Sequence, residues 1–232
     1  MSLLSNAGVE FLLRWLHFLA GITWIGLLYY FNFVQGPFFA EADAATKSAA
    51  TQKLVPRALW WFRWGAMFTF LSGAAILGTR MGGGVAATPW GVAILTGALF
   101  GTLMFLNVWL VIWPNQKVVI ASAVAAATGG QANPAAAAAG RRAFLASRTN
   151  VVFSIPMLFF MGAASHMPPT SVANASTYWI GVFVVAALVE INALTATAGP
   201  TTKPIEKIPG VITTGFVVWA VVYALVQLVL TA

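Results

Sequence analysis

Residues Val9–Val34 read VEFLLRWLHFLAGITWIGLLYYFNFV. This run exceeds the roughly 20 apolar residues that cross a hydrocarbon core at about 1.5 Å per residue. Lipid offers no hydrogen bonds, so a spanning segment must satisfy its own backbone and is predicted to be an α-helix. The exceptions within it are informative. Glu10, Arg14, His17, Gly21 and Trp24 recur at spacings of four, three, four and three, and so share one helix face.

Working outward, five further apolar segments follow, at Leu59–Thr79, Gly91–Trp113, Arg148–Ala164, Tyr178–Thr197 and Val211–Leu230. The 232 residues are 60% hydrophobic and only 7% charged, with a mean hydropathy of +0.86. A soluble domain carries about a quarter charged residues, so an ordinary cytosolic globular enzyme is ruled out. The predicted fold is all-α: a polytopic membrane helix bundle of about six transmembrane helices, forming one integral membrane domain over residues 1–232. The N-terminus MSLLSNAGVE lacks a basic region and a small-residue cleavage site, so the first helix is expected to be retained.

The connection Pro114–Ser147 is too long for bare coil. Its alanine runs, Ala123–Ala127 and Ala135–Ala139, favour helix, with a break near Gly129-Gly130 and Pro134. A cytoplasmic helical hairpin is expected over residues 114–147, its second arm continuing into the fourth span, where Pro156 should introduce a kink. Gly97 and Gly101 make a GxxxG helix-packing pair.

The charges set the topology. Lys47, Lys53, Arg57, Lys117, Arg141, Arg142, Arg148, Lys203 and Lys207 fall on one side and Arg80 on the other, nine against one. That bias places the first, third and fifth loops in the cytoplasm and both termini outside. It also accounts for the net charge of +7 without nucleic acid as a partner. The absence of cysteine excludes disulfides, iron–sulfur clusters, Cys-based zinc sites, a Cys nucleophile and covalent c-type haem within the chain.

Polar groups inside a membrane are costly and mark interior or functional faces. An outer group contains His17 and His166, the two histidines. An interior histidine can hold the iron of haem b without cysteine. Gly21, one turn from His17, would admit a flat macrocycle, and Arg14 could pair with a propionate. Equally, Arg14 can pair with Glu10, His17 can be a hydrogen-bonded packing residue, and His166 can be a loop residue. An inner group contains Asn32, Arg63, Asn107, Arg148, Thr149, Asn150, Glu190 and Asn192. Glu190 should be protonated or paired with Arg63 or Arg148. The group is either a structural ion pair or a pocket for a flat hydrogen-bonding molecule or a quinone head. The neighbouring Trp60, Trp61 and Trp64 suit an interfacial aromatic belt.

Several stretches carry a resemblance: Arg14-Trp15-Leu16-His17, Trp60-Trp61-Phe62-Arg63-Trp64-Gly65-Ala66, Asn107-Val108-Trp109, Trp113-Pro114-Asn115-Gln116-Lys117, Ser147-Arg148-Thr149-Asn150 and Ser154-Ile155-Pro156, closing at Ser165-His166. In this order they resemble the N-terminal membrane domain of the bacterial cytochrome-c-coupled urate oxidase (urate hydroxylase) family. The resemblance implies a multi-helix redox domain in the bacterial inner membrane. Such a domain passes electrons from its substrate toward quinone or an external c-type cytochrome, which full-length members carry fused at the C-terminus. This sequence contains no CxxCH motif, which implies a separate electron acceptor, a different partner or a different job. On this reading His17 and His166 are haem ligands, and Arg63, Asn107, Arg148, Asn150 and Glu190 are substrate or quinone residues. Two other classes are weighed: a non-catalytic anchor that recruits a soluble cytoplasmic dehydrogenase, such as a molybdenum hydroxylase, to Arg141 and Arg142, and a transporter using Glu190.

Overall fold

The computed structural model describes residues 2–80, 84–195 and 198–230. Among these, all regular structure is helical: α1 (Asn6–Tyr29), α2 (Gly36–Glu41), α3 (Ala44–Lys53), α4 (Val55–Gly78), α5 (Pro89–Leu106), α6 (Trp113–Ala127), α7 (Ala136–His166), α8 (Ala175–Thr195), α9 (Lys203–Glu206) and α10 (Ile208–Leu225). Three π-helical turns, π1 (Tyr30–Gln35), π2 (Asn107–Ile112) and π3 (Val226–Leu230), and a 3₁₀ turn at Val85–Ala87 complete the set. Five helical runs are long and apolar enough to cross a membrane: Asn6–Glu41, Pro89–Ala127, Ala136–His166, Ala175–Thr195 and Ile208–Leu230. The protein is a multi-pass membrane protein with an all-α bundle.

The expected second span, α4, is as long as α1 but is not among the five. Trp60, Trp61, Arg63 and Trp64 crowd its first half and make it less apolar. The end of the expected fifth span, at Ala196 and Thr197, lies outside the described residues.

Two runs exceed their expected lengths because α1 continues through π1 into α2, and α5 through π2 into α6. Proline explains both wide turns. Pro37 and Pro114 lack an N–H, and their rings would clash with the carbonyls of Phe33 and Leu110 in an ideal α-helix. The preceding backbone widens instead: Gly36 N–H donates to the Phe31 carbonyl and Trp113 N–H to the Val108 carbonyl, each five residues back. No proline follows π3.

The described residues form two compact units, one drawn from Met1–Ile76 with Phe105–Arg148, the other from Leu77–Met104 with Thr149–Ala232. In the first, α1 and α4 run antiparallel at close range. A side chain on Gly65 would meet the Trp24 amide nitrogen at 3.1 Å and the Ala20 carbonyl at 3.3 Å, and Gly73 faces the His17 ring. Phe70 stacks on Phe105 with centroids 4.3 Å apart. Asp43 caps α3 by accepting from the Thr46 N–H at 2.9 Å, and that bond holds its carboxyl below the usual range.

In the second unit, α5, α7, α8 and α10 pack through small residues. Gly97 lies against the α7 backbone at Met157 and Met161, Gly101 near the Met157 side chain, Gly215 against Val152 and Ile155, and Gly181 against Leu225. Tyr178 and Thr96 share a buried 2.7 Å hydrogen bond between α8 and α5. Large apolar side chains remain outside both units: Phe18 on α1, Leu110 on π2, Ile180 and Leu188 on α8 are each at least 66% exposed. Such surface is stable in lipid rather than in water.

Candidate functional site

The first unit contains a cavity of ≈ 130 Å³. Its polar groups come from π1 (Asn32, Gln35), α6 (Gln116) and α7 (Ser147, Arg148), and its apolar walls include Phe31, Phe62 and Phe144. Both proline-driven turns contribute, since Ile112 of π2 also lines it. Wide turns of this kind recur at functional sites because they re-aim side chains that an α-helix would hide.

Arg148 dominates the cavity. It is only 5% exposed, and its Nε and Nη1 find no partner among the described residues. No carboxylate among the described residues bridges it. The Phe144 ring lies 5.1 Å from its guanidinium carbon, a modest cation–π contact. A buried guanidinium without a counter-charge is costly, and one such contact returns only part of that cost. Gln35 supplies the opposite deficit: its side-chain oxygen is buried without a donor. Asn32 is satisfied, its amide donating to the Leu28 carbonyl at 2.8 Å and to Ser147 Oγ at 2.8 Å. That second bond ties π1 to the residue preceding Arg148.

His17 forms a separate feature of the same unit. Its Nδ1 lies 2.9 Å from the Thr69 carbonyl oxygen and 3.2 Å from Ser72 Oγ. A carbonyl only accepts, so Nδ1 carries the proton and Nε2 keeps its lone pair. A carbonyl held to one ring nitrogen in this way is what orients metal-binding imidazoles. Gly21 leaves open room on the same face, since an added Cβ would find only Thr69 Cγ2, at 3.9 Å. Arg14 pairs with Glu10 at 2.6 Å.

Of the five residues expected to form a substrate or quinone pocket, Arg148 alone lines the cavity, joined there by Asn32 of the wider inner group. Arg63 instead stacks over Trp113, 3.8 Å from the ring centroid, with Trp109 at 5.9 Å. Asn107 is buried in π2. Asn150 belongs to the second unit, where it donates to the Met104 carbonyl at 3.0 Å. Glu190 is half-buried on α8 in that unit. His166 is exposed at the end of α7, also in the second unit. Arg148 had been counted with the loop cations; buried in α7, it is not one, and the bias becomes eight to one.

Residues 86–226, more than half of the chain, match the family described as urate oxidase N-terminal. The chain belongs to the urate oxidase N-terminal family. No curated protein and no solved structure matches it. The urate oxidase N-terminal match takes in α5 to α10, and so includes Gln116, Ser147 and Arg148, while His17, Asn32 and Gln35 precede it. Sequence reasoning passed over Gln35, and took Gln116 and Ser147 only as part of the stretches that carry the resemblance, with no pocket role. A signal existed for Gln35: it sits one turn after Asn32 and directly before Gly36-Pro37, where the backbone must widen. Among the described residues of this urate oxidase N-terminal chain, no group of three or more His, Asp or Glu side chains forms a metal site; a haem iron needs one or two.

Proposed function

We propose that this protein is a redox protein of the bacterial inner membrane that holds haem b on His17 and carries electrons from an organic substrate to quinone or to an external c-type cytochrome. The observation that carries this reading is the His17–Thr69 hydrogen bond, which leaves Nε2 free as a ligand. The open face at Gly21 suits a flat macrocycle. Arg14 would serve a propionate while shared with Glu10, and His166 is the second candidate for holding the iron. When bound, haem supplies one-electron transfer. The residues of this chain do the rest: the Thr69 carbonyl fixes the imidazole tautomer, Ser72 steadies the ring, and the apolar faces of α1 and α4 exclude water. The family supplies urate oxidation as the matching chemistry. The eight-to-one charge bias supports termini on the outer side.

The test is spectroscopic. Protein purified from haem-replete cells should show a reduced b-type α-band and a pyridine haemochrome. His17→Ala should abolish both, and His166→Ala should convert a low-spin ferric spectrum to a high-spin one. Protein that folds without haem overturns the reading.

A further inference from the structure

We propose that the Arg148 cavity binds a singly charged phosphate group that carries a hydroxyl donor, and that the headgroup of a glycerol-type phospholipid supplies it. The inference rests on the cavity and on its depth, and is independent of the haem reading.

Arg148 lines the cavity, is only 5% exposed, and its Nε and Nη1 have no partner among the described residues. Burying one member of an ion pair without the other is the costly arrangement. No aspartate or glutamate lines the cavity, so the counter-charge must arrive with a ligand. A phosphate suits the guanidinium, whose planar fork matches two of its oxygens.

Depth favours a lipid as the source. The continuous run Asn6–Glu41 carries both the Arg14–Glu10 pair and Gln35. Arg14 to Gln35 is about 32 Å at 1.5 Å per residue, and a hydrocarbon core is about 30 Å thick. With the ion pair at one face of the core, Gln35 lies at the other, among headgroups. Tryptophans mark the same level. Exposed Trp60 and Trp61 stand between the wall residues Leu59 and Phe62, and Trp113 follows the wall residue Ile112. Gly36 lines the cavity and is itself exposed, so the cavity opens there. Val34 and Phe38 flank Gly36 in sequence, and Leu54 precedes the wall residue Val55; all three are exposed and offer acyl chains an apolar surface. Exposed Lys53, Arg57, Lys117 and Arg142 lie close in sequence to cavity residues and outnumber the nearest carboxylates, Glu41 and Asp43. Cations at this level draw anionic lipid.

Hydrogen bonding selects the headgroup. The buried Gln35 Oε1 lacks a donor. A choline head has neither N–H nor O–H, and an ethanolamine head brings a positive charge of its own. A glycerol head gives a hydroxyl without that charge. The cavity is ≈ 130 Å³, near the roughly 150 Å³ that accepts a benzene ring. It has room for a phosphate and the adjoining part of its head, but not for an acyl chain.

The experiment is titration of the delipidated full chain in mild detergent, read by tryptophan fluorescence and, for lipids, by native mass spectrometry. Salt at about 0.5 M screens the surface cations. The probes are phosphatidylglycerol, phosphatidylmethanol, phosphatidylcholine, inorganic phosphate and acetate. Phosphatidylglycerol should bind at least about tenfold more tightly than phosphatidylcholine, and severalfold more tightly than phosphatidylmethanol, which has the charge but no hydroxyl. Arg148→Met should abolish the first preference and Gln35→Leu the second. Equal binding of the three lipids, or preferences that both variants leave unmoved, would overturn the proposal. Inorganic phosphate binding without any preference for phosphatidylglycerol would uphold the phosphate site and reject the lipid as its source. Acetate binding as tightly as phosphate would reject the phosphate chemistry in favour of a partner protein's carboxylate. Should Arg148→Met fail to fold, Gln35→Leu decides: a hydroxyl preference that survives it sinks the assignment.

Discussion

The imidazole of His17 and the backbone carbonyl of Thr69 are joined across α1 and α4 at 2.9 Å, with Gly73 one turn further along α4 beneath the same ring. A methyl group on Gly73 would lie 3.0 Å from His17 Cε1 and 3.3 Å from Nδ1. Gly73→Ala should therefore push the ring off its carbonyl and cost about 1–3 kcal/mol as overpacking. Gly21→Ala, with its nearest neighbour at 3.9 Å, should cost little in protein lacking a cofactor. Thermal unfolding of the two variants in detergent separates them, and a shift of equal size in both would contradict this account.

Asn32 and Ser147 couple π1 to α7 through a 2.8 Å hydrogen bond. Asn32→Ala and Ser147→Ala should each destabilise the chain. The double variant should cost less than the sum, with a coupling of about 0.5–1.5 kcal/mol. Strict additivity in a double-mutant cycle would show that the bond contributes nothing.

Gly97 and Gly101 share a helix face but differ in clearance. A Cβ on Gly97 would meet Met161 Cγ at 2.9 Å and the Met161 amide nitrogen at 3.1 Å, whereas one on Gly101 meets Met157 Cγ at 3.8 Å. Backbone cannot yield as a flexible side chain can. Gly97→Ala should cost about 1–3 kcal/mol and Gly101→Ala well under 1. The reverse order in thermal midpoints would show that α5 and α7 are not in this register.

Asp43 gives a pH prediction outside the membrane spans. Its folded carboxyl titrates below the ordinary value because the charged form accepts from the Thr46 N–H and hydroxyl. A lowered folded pKa means that the cap's contribution is present above the unfolded pKa and is lost as pH falls through the folded one. Amide protection at the start of α3 should decline in acid, and Asp43→Asn should remove that dependence while keeping the cap. Protection that is flat with pH in the parent chain would contradict it.

Five of the six expected spans were legible because a 20-residue apolar run has one cheap solution in lipid. Their lengths were not, because Pro37 and Pro114 read as stops. A helix can instead pass a proline by widening its turn, so π1 and π2 join what looked like separate elements. Arg148 and Asn32 were legible as polar residues of the inner group, although Arg148 also counted as a loop cation; Gln35 and Gln116 had no place in that group. Arg148 and Asn150 are two residues apart on α7, about 200° around the helix, so proximity in sequence placed them together where geometry separates them. Gln35 escaped notice because a glutamine near a helix end normally faces water, and only the wide turn makes its oxygen an interior group.

The wide turns also fix a direction. Each takes up one residue more than an ordinary turn, so α2 is wound by about 100° relative to where an unbroken α1 would have carried it. Which side chains of residues Gly36–Glu41 look inward is thus decided by a ring at Pro37 rather than by any hydrophobic periodicity. Removing one residue within Tyr30–Gln35 would keep a continuous rod and turn a different stripe toward the interior.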